Sequence, residues 1–600
     1  MFLSTPMESL FNLLDQATGT PRRLRRGDVL FHEGNRADSF YLVHNGRLRA
    51  IRGMDGASPT TVGEAGRGEI IGEMAVLSDA PRSASVLAIR DTHLTEFSGK
   101  DLANLSKESL LAVMRILASR MRQMMDGQRD HTLPTCIVVV PVQQAVPINE
   151  YCDRLRESLQ EAGGRCLWVR GGELPAEFQN LQNCDGEDFD RLGHWLEERE
   201  RSESLLLLQA DYDVTPWTER CLRQADLILL VAKPVGEPVK SPAERAMDRL
   251  PGKEARPRVD LVLLQDEPPY HGTAAWLADR HVVRHHHVRL HSAADKARAG
   301  RMLAGKDVSF AFGGGGARGF AHVGILRACE ELGIPVDRAC GTSMGSIIAG
   351  LAALGIGWEE ITERLRENWT DMRKLSDYTL PLLSIDTARG YARGLEGLFG
   401  STRIEDLPIN YFCVSCNLTR ASVMVHRSGL MTKWIGGSVS IPGLAPPLVE
   451  QGELLVDGGL LNNLPVDIAK ADGAGMVVGV DVSPATEFRL PATYSGRPSS
   501  WDVLWSRLRR KNHASGGIGK PVFPTLAAVL YRATSLSSVH QQERLVKMAD
   551  CYIKVRADKF KMLEFESLDA IAALGHTTGL DALQPVATWV NNNSSRNQPT

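Results

Sequence analysis

Between residues 28 and 97, short apolar runs alternate with polar positions and are cut repeatedly by glycine. Phe40-Tyr41-Leu42-Val43 and Val86-Leu87-Ala88-Ile89 lie among Gly34, Asn45-Gly46, Asp55-Gly56, Gly66 and Gly68. Strand-like alternation broken by tight-turn residues predicts short antiparallel strands folded into a β-roll. The spacing then changes: Leu102, Leu105, Leu110, Val113, Leu117 and Met121 recur near a helical period before Asp126-Gly127, predicting a helix over 101–125 that closes this unit. Beyond Pro134, apolar strand-like runs at 137–140, 205–208, 227–232 and 259–264 alternate with helix-like stretches such as 148–162 and 189–201. That is the βα alternation of an α/β domain. A second α/β unit opens with the strand-like run Val308-Ser309-Phe310-Ala311-Phe312, and residues 591–600 are a polar tail with the composition of disorder.

Composition narrows the class. The 600 residues are too many for one core, and 43% apolar residues supply several. Sixty-nine basic against 72 acidic residues give a net charge of −3, which fits neither a disordered chain nor a basic nucleic-acid binder. Ten scattered cysteines are too sparse for a disulfide framework and imply reduced thiols. The start, Met1 to Glu8, lacks the pattern of a secretory signal, and no apolar run reaches the ~18–20 residues that span a bilayer. The expectation is a cytoplasmic protein that meets membrane only peripherally, at its inner face.

Three motifs in the last unit carry chemistry. Gly341-Thr342-Ser343-Met344-Gly345 is G-x-S-x-G, whose glycines permit the sharp strand-to-helix turn that exposes a serine Oγ, so Ser343 is the candidate nucleophile. Upstream, Gly313-Gly314-Gly315-Gly316-Ala317-Arg318-Gly319 joins a strand to an apolar helix. Successive glycines there turn backbone N–H groups toward one point, which suits a phosphate or a developing oxyanion alike, although the Gly-Lys-Ser/Thr ending of a P-loop is missing. Downstream, Leu454-Leu455-Val456-Asp457-Gly458-Gly459 sets a carboxylate at a strand end. Asp457 is the candidate base, and it needs a dry site and direct contact with Ser343 to act as one. Read alone, Asp-Gly-Gly is more often an ordinary turn.

Together these motifs resemble the patatin-like phospholipases over residues 308–482. The resemblance implies an α/β/α hydrolase, a Ser343–Asp457 dyad, oxyanion amides from Gly314, Gly315 and Gly316, and Arg318 holding the loop. It implies hydrolysis of carboxylic esters through an acyl-Ser343 intermediate with no metal and no cofactor. His322 lies on the helix after the glycine loop and is assigned to packing. The apolar, proline-rich segment 437–447 fits an acyl channel or plain packing. Two other motifs are set aside. Cys413 and Cys416 have redox spacing but sit in a strand-like run, and the histidines of 284–291 alternate faces with no Cys or carboxylate completing a metal set.

Near the N-terminus, residues 68–86, GEIIGEMAVLSDAPRSASV, resemble the phosphate-binding cassette of cyclic nucleotide-binding domains over about residues 10–125. The resemblance implies that Glu73 accepts from the ribose 2′-hydroxyl and Arg82 pairs with the cyclic phosphate of cAMP or cGMP, helped by amides near Gly72 and Ser83. The middle region, 135–300, carries Thr215-Pro216-Trp217-Thr218-Glu219-Arg220-Cys221 and Arg223-Gln224-Ala225-Asp226, and the order of modules resembles the neuropathy target esterase family and its bacterial relatives. Residues 483–585 then extend the catalytic domain. The reaction implied is hydrolysis of a phospholipid or lysophospholipid, regulated by a cyclic nucleotide. A membrane contact is expected in 500–512, where Trp501, Leu504, Trp505 and Leu508 share a helical face beside Arg507, Arg509, Arg510 and Lys511; a surface helix packed on the domain is the alternative. Two rival functions stand: a nonenzymatic nucleotide sensor with an inactive patatin-like module, and a general esterase or triacylglycerol lipase. A nucleic-acid-binding regulator would place a helix-turn-helix after the nucleotide module, where an apolar strand begins instead.

Overall fold

The computed structural model describes residues 19–56, 59–99, 133–179, 187–203, 205–249, 255–371, 375, 377–380, 382–484, 499, 501 and 536–594. They form two compact units, one of 1–307 with 470–475 and 590–600, the other of 308–469 with 476–589.

The first unit opens with a roll of two four-stranded antiparallel sheets. One orders Thr20–Leu24, Thr92–Ser98, Ser39–Asn45 and Ile70–Ile71; the other orders Val29–Phe31, Ser85–Ala88, Leu48–Arg52 and Thr60–Ala65. Tyr41, Val43, Leu48, Val86, Ala88 and Leu94 fill the space between them, the inward half of each alternating strand. The expected closing helix over 101–125 lies outside the described residues.

A six-stranded, wholly parallel sheet follows, ordered Cys166–Arg170, Leu205–Gln209, Cys136–Pro141, Leu227–Ala232, Arg258–Gln265 and Arg284–Arg289. Val138, Val140, Leu206, Leu208, Ile228 and Leu230 pack on one face. Ile137, Val139, Leu207, Leu227 and Leu229 pack on the other, which is why these strands read as continuous apolar runs. The histidines form the last strand, where His286 faces Asp260 at 3.4 Å and the His287 ring stacks on Tyr270.

Roll and parallel sheet are joined within this unit by buried charges. Arg90, fully enclosed, meets Glu200 at 2.6 Å and Asp226 at 3.2 Å. Asp226 also lies 3.4 Å from Arg47 and accepts from the Thr135 and Cys136 amides. Arg220 bonds Asp91 at 3.1 Å, and Thr215 caps the helix Pro216–Gln224 by accepting from Thr218 N–H. Thus three residues of the two middle-domain motifs have structural work: Thr215 starts the helix, and Arg220 and Asp226 bind the roll.

The second unit is built on a mixed sheet ordered Leu448–Glu450, Glu453–Asp457, Asn410–Asn417, Arg338–Thr342, Val308–Phe312, Met476–Asp481 and Cys551–Lys554, with Ser422–His426 also paired to Asn410–Asn417. The run from Asn410–Asn417 to Cys551–Lys554 is parallel; the Asp457 strand is antiparallel to its neighbour. Helices Ala321–Glu331 and Leu568–Ala582 cross at glycines: a Cβ at Gly324 would lie 2.0 Å from Ala572 O, and one at Gly575 2.0 Å from Ala321 O. The last helix, Gln584–Ser594, continues into the segment expected to be a disordered tail. No helix among the described residues is long and apolar enough to cross a membrane.

Candidate functional site

The strand Arg338–Thr342 ends at Ser343, and the helix Met344–Ala353 begins one residue later. Ser343 therefore takes φ 54° and ψ −129°, a conformation that costs a non-glycine residue roughly 1–3 kcal/mol and lifts its side chain off the sheet end. Small neighbours make the turn feasible, since a Cβ at Gly345 would lie 2.1 Å from Phe312 O. Ser343 N–H donates to Ser438 Oγ at 2.9 Å, and Ser438 Oγ–H in turn donates to Val414 O at 2.6 Å.

Asp457 is buried at the end of its strand. Its Oδ1 accepts from Gly459 N–H at 2.7 Å, and its own N–H donates to Ser440 O at 2.9 Å. Burial raises the carboxyl pKa to about 6, partly offset by Ser343 and the Gly459 amide. Among the described residues, Oδ2, also buried, has no hydrogen bond of full geometry, so the contact with Ser343 is a loose one of the kind that tightens when substrate binds. A carboxylate so raised is a better base than one in water and remains mostly ionised at neutral pH.

The glycine loop runs against Ser343. A Cβ at Gly314 would fall 2.9 Å from Ser343 Cβ and 2.6 Å from Asn463 Oδ1. One expectation is corrected here: Gly314 N–H does not face the site as a spare donor but donates to Asn463 O at 3.3 Å, while Asn463 Nδ2 donates back to Gly314 O at 3.2 Å. Among the described residues no backbone acceptor is recorded for the N–H groups of Gly315 and Gly316, the latter at φ +58°. The loop is pinned on its far side, where Arg318 Nε donates to Phe560 O at 2.9 Å and Ala317 N–H to Met562 O at 2.8 Å. His322, fully buried, donates Nε2–H to Gly313 O at 2.8 Å and packs on Phe312; burial drives its pKa down to about 4, so it stays neutral and positions the loop.

Sequence reasoning missed Ser438, Ser440 and Asn463. The segment 437–447, expected as an acyl channel or plain packing, holds Ser343 through Ser438 and Asp457 through Ser440. Cys413 and Cys416 are buried on the strand Asn410–Asn417, and burial lifts the Cys413 thiol to about 12.

In the roll, Gly72, Glu73, Arg82 and Ser83 line one cavity of about 290 Å³ together with Phe31 and Ala84. Gly72 sits at φ +85°, where a Cβ would strike Arg82 Nη1 at 2.5 Å. Arg82 donates to Gly72 O at 2.8 Å and Ser39 O at 2.6 Å and stacks on Phe31. Its Nε is buried with no hydrogen-bond partner among the described residues, and burial lowers its pKa. Glu73 is buried and Ser83 exposed on the same cavity. Near the C-terminal end, Trp501 is described and exposed, whereas Leu504, Trp505, Leu508 and the basic residues of the expected amphipathic helix lie outside the described residues.

Comparison with known proteins follows the same division. Residues 310–470 match the patatin-like phospholipase family, 133–309 the neuropathy target esterase family P-loop like domain, and 21–109 the cyclic nucleotide-binding domain. The chain is 31% identical to mouse patatin-like phospholipase domain-containing protein 6 over 92% of its own length and 44% of the relative's. It is 30% identical to lysophospholipase nte1 of Emericella nidulans, over 94% and 41% of the two chains. The chain thus spans less than half the length of these eukaryotic relatives. Among solved structures, the N-terminal domain of a transcriptional regulator from Streptomyces coelicolor is 29% identical over 21% of this chain and 92% of that one, with a TM-score of 0.18.

Proposed function

We propose that this protein is a serine hydrolase of the patatin-like phospholipase class, that it removes an acyl chain from a phospholipid or lysophospholipid, and that a cyclic nucleotide bound in the roll regulates it. The observation that carries the hydrolase reading is the strained Ser343 elbow set against a buried carboxyl whose pKa is raised to about 6. The names of the relatives, one of them a lysophospholipase, support the ester class.

In this reading Ser343 Oγ attacks the acyl carbonyl while Asp457 Oδ2 takes its proton. The carbonyl oxygen becomes an oxyanion stabilised by the Gly315 and Gly316 amides and by the positive end of the helix Met344–Ala353. Collapse breaks the ester bond, and Asp457 returns the proton to the departing alkoxide. Water then attacks acyl-Ser343 with Asp457 again as base, releasing the fatty acid. Gly314 contributes by close approach rather than by its N–H, and Arg318 and His322 hold the loop. In the roll, Arg82 releases its backbone carbonyls to pair with the cyclic phosphate, Glu73 takes the ribose hydroxyl, and Gly72 and Ser83 offer amides. The test is fatty-acid release from lysophosphatidylcholine by the full chain and by Ser343→Ala, each with and without cAMP. Release that disappears in Ser343→Ala is expected; release that survives it removes Ser343 as nucleophile.

A further inference from the structure

The second unit carries an apolar projection that the chemistry above does not use. The described residues between Asp377 and Asp386 (all but 381) fold back on themselves, with an antiparallel bridge between Tyr378 and Asp386 and a bond from Thr379 N–H to Ile385 O at 3.0 Å. Its tip exposes four large apolar side chains: Tyr378 at 75%, Leu380 at 78%, Leu382 at 94% and Leu383 at 69%. Single exposed apolar side chains are ordinary, but four in six residues are not, because each leaves hydrocarbon in water for no packing return.

The base of this hairpin is built and fixed. Asp386, buried, accepts from Asp377 N–H at 2.8 Å and Ala388 N–H at 2.7 Å, while Thr387 Oγ1 donates to Asp377 at 2.7 Å. Both carboxylates are thus folded into the base, and the described tip carries no charge. Exposed Arg389 follows at the start of the helix Arg389–Phe399. The hairpin is also tied to the catalytic scaffold: Ile385 N–H donates to Gly443 O and Asp386 N–H to Leu444 O, each at 3.0 Å. Gly443 lies three residues after Ser440, which bonds Asp457, and five after Ser438, which bonds Ser343 N–H.

We infer that the hairpin 377–386 is the element that docks the catalytic unit on a phospholipid surface, its leucines entering the acyl region and Arg389 remaining at the level of anionic headgroups. Shape selects this occupant. A convex, almost wholly exposed tip offers little area to a second folded surface, whereas a fluid apolar phase closes around it. The uncharged tip with a basic residue at its base matches the layering of such a surface. The rigid link through Gly443 and Leu444 then brings Ser343 and Asp457 to where the substrate is held. This inference rests on the lipid-hydrolase reading for its purpose but not for its measurement.

The experiment measures co-sedimentation with phosphatidylcholine–phosphatidylglycerol vesicles for the full chain in the Ser343→Ala form, with and without Leu380→Glu and Leu382→Glu together. Binding is expected to fall by about tenfold or more, since moving each leucine from water to hydrocarbon changes a partition constant by roughly that factor. In the active protein the same pair of substitutions is expected to slow hydrolysis of vesicle-borne lysophosphatidylcholine while leaving a water-soluble p-nitrophenyl ester unaffected. A second variant, Leu382→Trp, reports insertion directly through quenching by brominated lipid, whether or not the charged variant folds. Unchanged vesicle binding, or an unquenched Leu382→Trp, overturns the inference. So does an equal loss on the soluble ester, which would make the tip a lid, or a dimer that the charged variant dissolves, which would make it an interface between copies. Failure of the hydrolase reading shows separately, as ester turnover that survives Ser343→Ala, with the vesicle measurement still standing.

Discussion

In the proposed mechanism Asp457 is the residue at which catalysis and stability pull in opposite directions. Its carboxyl must be ionised to take the Ser343 proton, and burial opposes that ionisation, raising the pKa from 3.8 to about 6. Activity should therefore fall as pH drops through about 6, visible as an acid limb in kcat/KM for a soluble ester. The stability sign is the reverse of an ion-paired carboxylate. With a folded pKa above the unfolded one, the penalty is fully present above about pH 6 and vanishes as pH falls below the unfolded value. At pH 7 it amounts to about 3 kcal/mol by linkage. Asp457→Asn is expected to abolish turnover and yet unfold at higher urea than the wild type; a variant that is inactive and also less stable would deny the burial cost. His322 adds nothing to this profile above pH 5, because burial holds it neutral down to about 4.

The strand–elbow–helix element explains what could be read in advance. The sharp turns at Ser343 and Asp457 were legible because each sits beside glycines that a turn demands, and Gly345 shows how little latitude the turn allows. The parallel strand Leu227–Ala232 was legible to the residue, since both of its faces are buried and no alternation blurs its ends. Ser438, Ser440 and Asn463 carried no such signal. Ser438 reaches Ser343 across 95 residues, and one serine in an apolar segment looks like any other. The Gly314 N–H was misread for a related reason, because the acceptor that engages it, Asn463 O, comes from a distant turn. Ser438→Ala should therefore be more damaging than sequence suggests. It strands the buried Ser343 N–H, at about 1–3 kcal/mol, in the residue whose placement limits the reaction. The expected result is kcat lower by about tenfold or more with KM little changed and partial recovery in Ser438→Thr, whose hydroxyl can still accept. A rise in KM alone would place Ser438 in substrate binding instead.

At the scale of the whole molecule, two compact units with separate sheets should report their ligands separately. A cyclic nucleotide at a hundredfold excess over its Kd stabilises what it binds by about 2.7 kcal/mol. In the proposed binding mode that gain belongs to the unit containing Arg82, and Arg82→Ala should remove it by deleting the cation proposed to meet the phosphate. The same unit contains the Arg90, Glu200 and Asp226 cluster, and Arg90 follows Arg82 by eight residues through the strand Ser85–Ala88. Asp226→Ala removes the counter-charge shared by the enclosed Arg90 and Arg47 and the acceptor of two backbone amides. Breaking a buried pair of this kind costs about 3–5 kcal/mol. Calorimetry of the full chain should then show one transition raised by cAMP, insensitive to cAMP in Arg82→Ala, and lowered in Asp226→Ala. A serine-directed phosphonate on Ser343 should move the other transition. If cAMP still raises stability in Arg82→Ala, the ligand is held by something other than the cavity around Gly72 and Glu73. If Asp226→Ala leaves the nucleotide-sensitive transition in place, roll and parallel sheet do not unfold together, and the buried charges merely fill the join rather than couple its two sides.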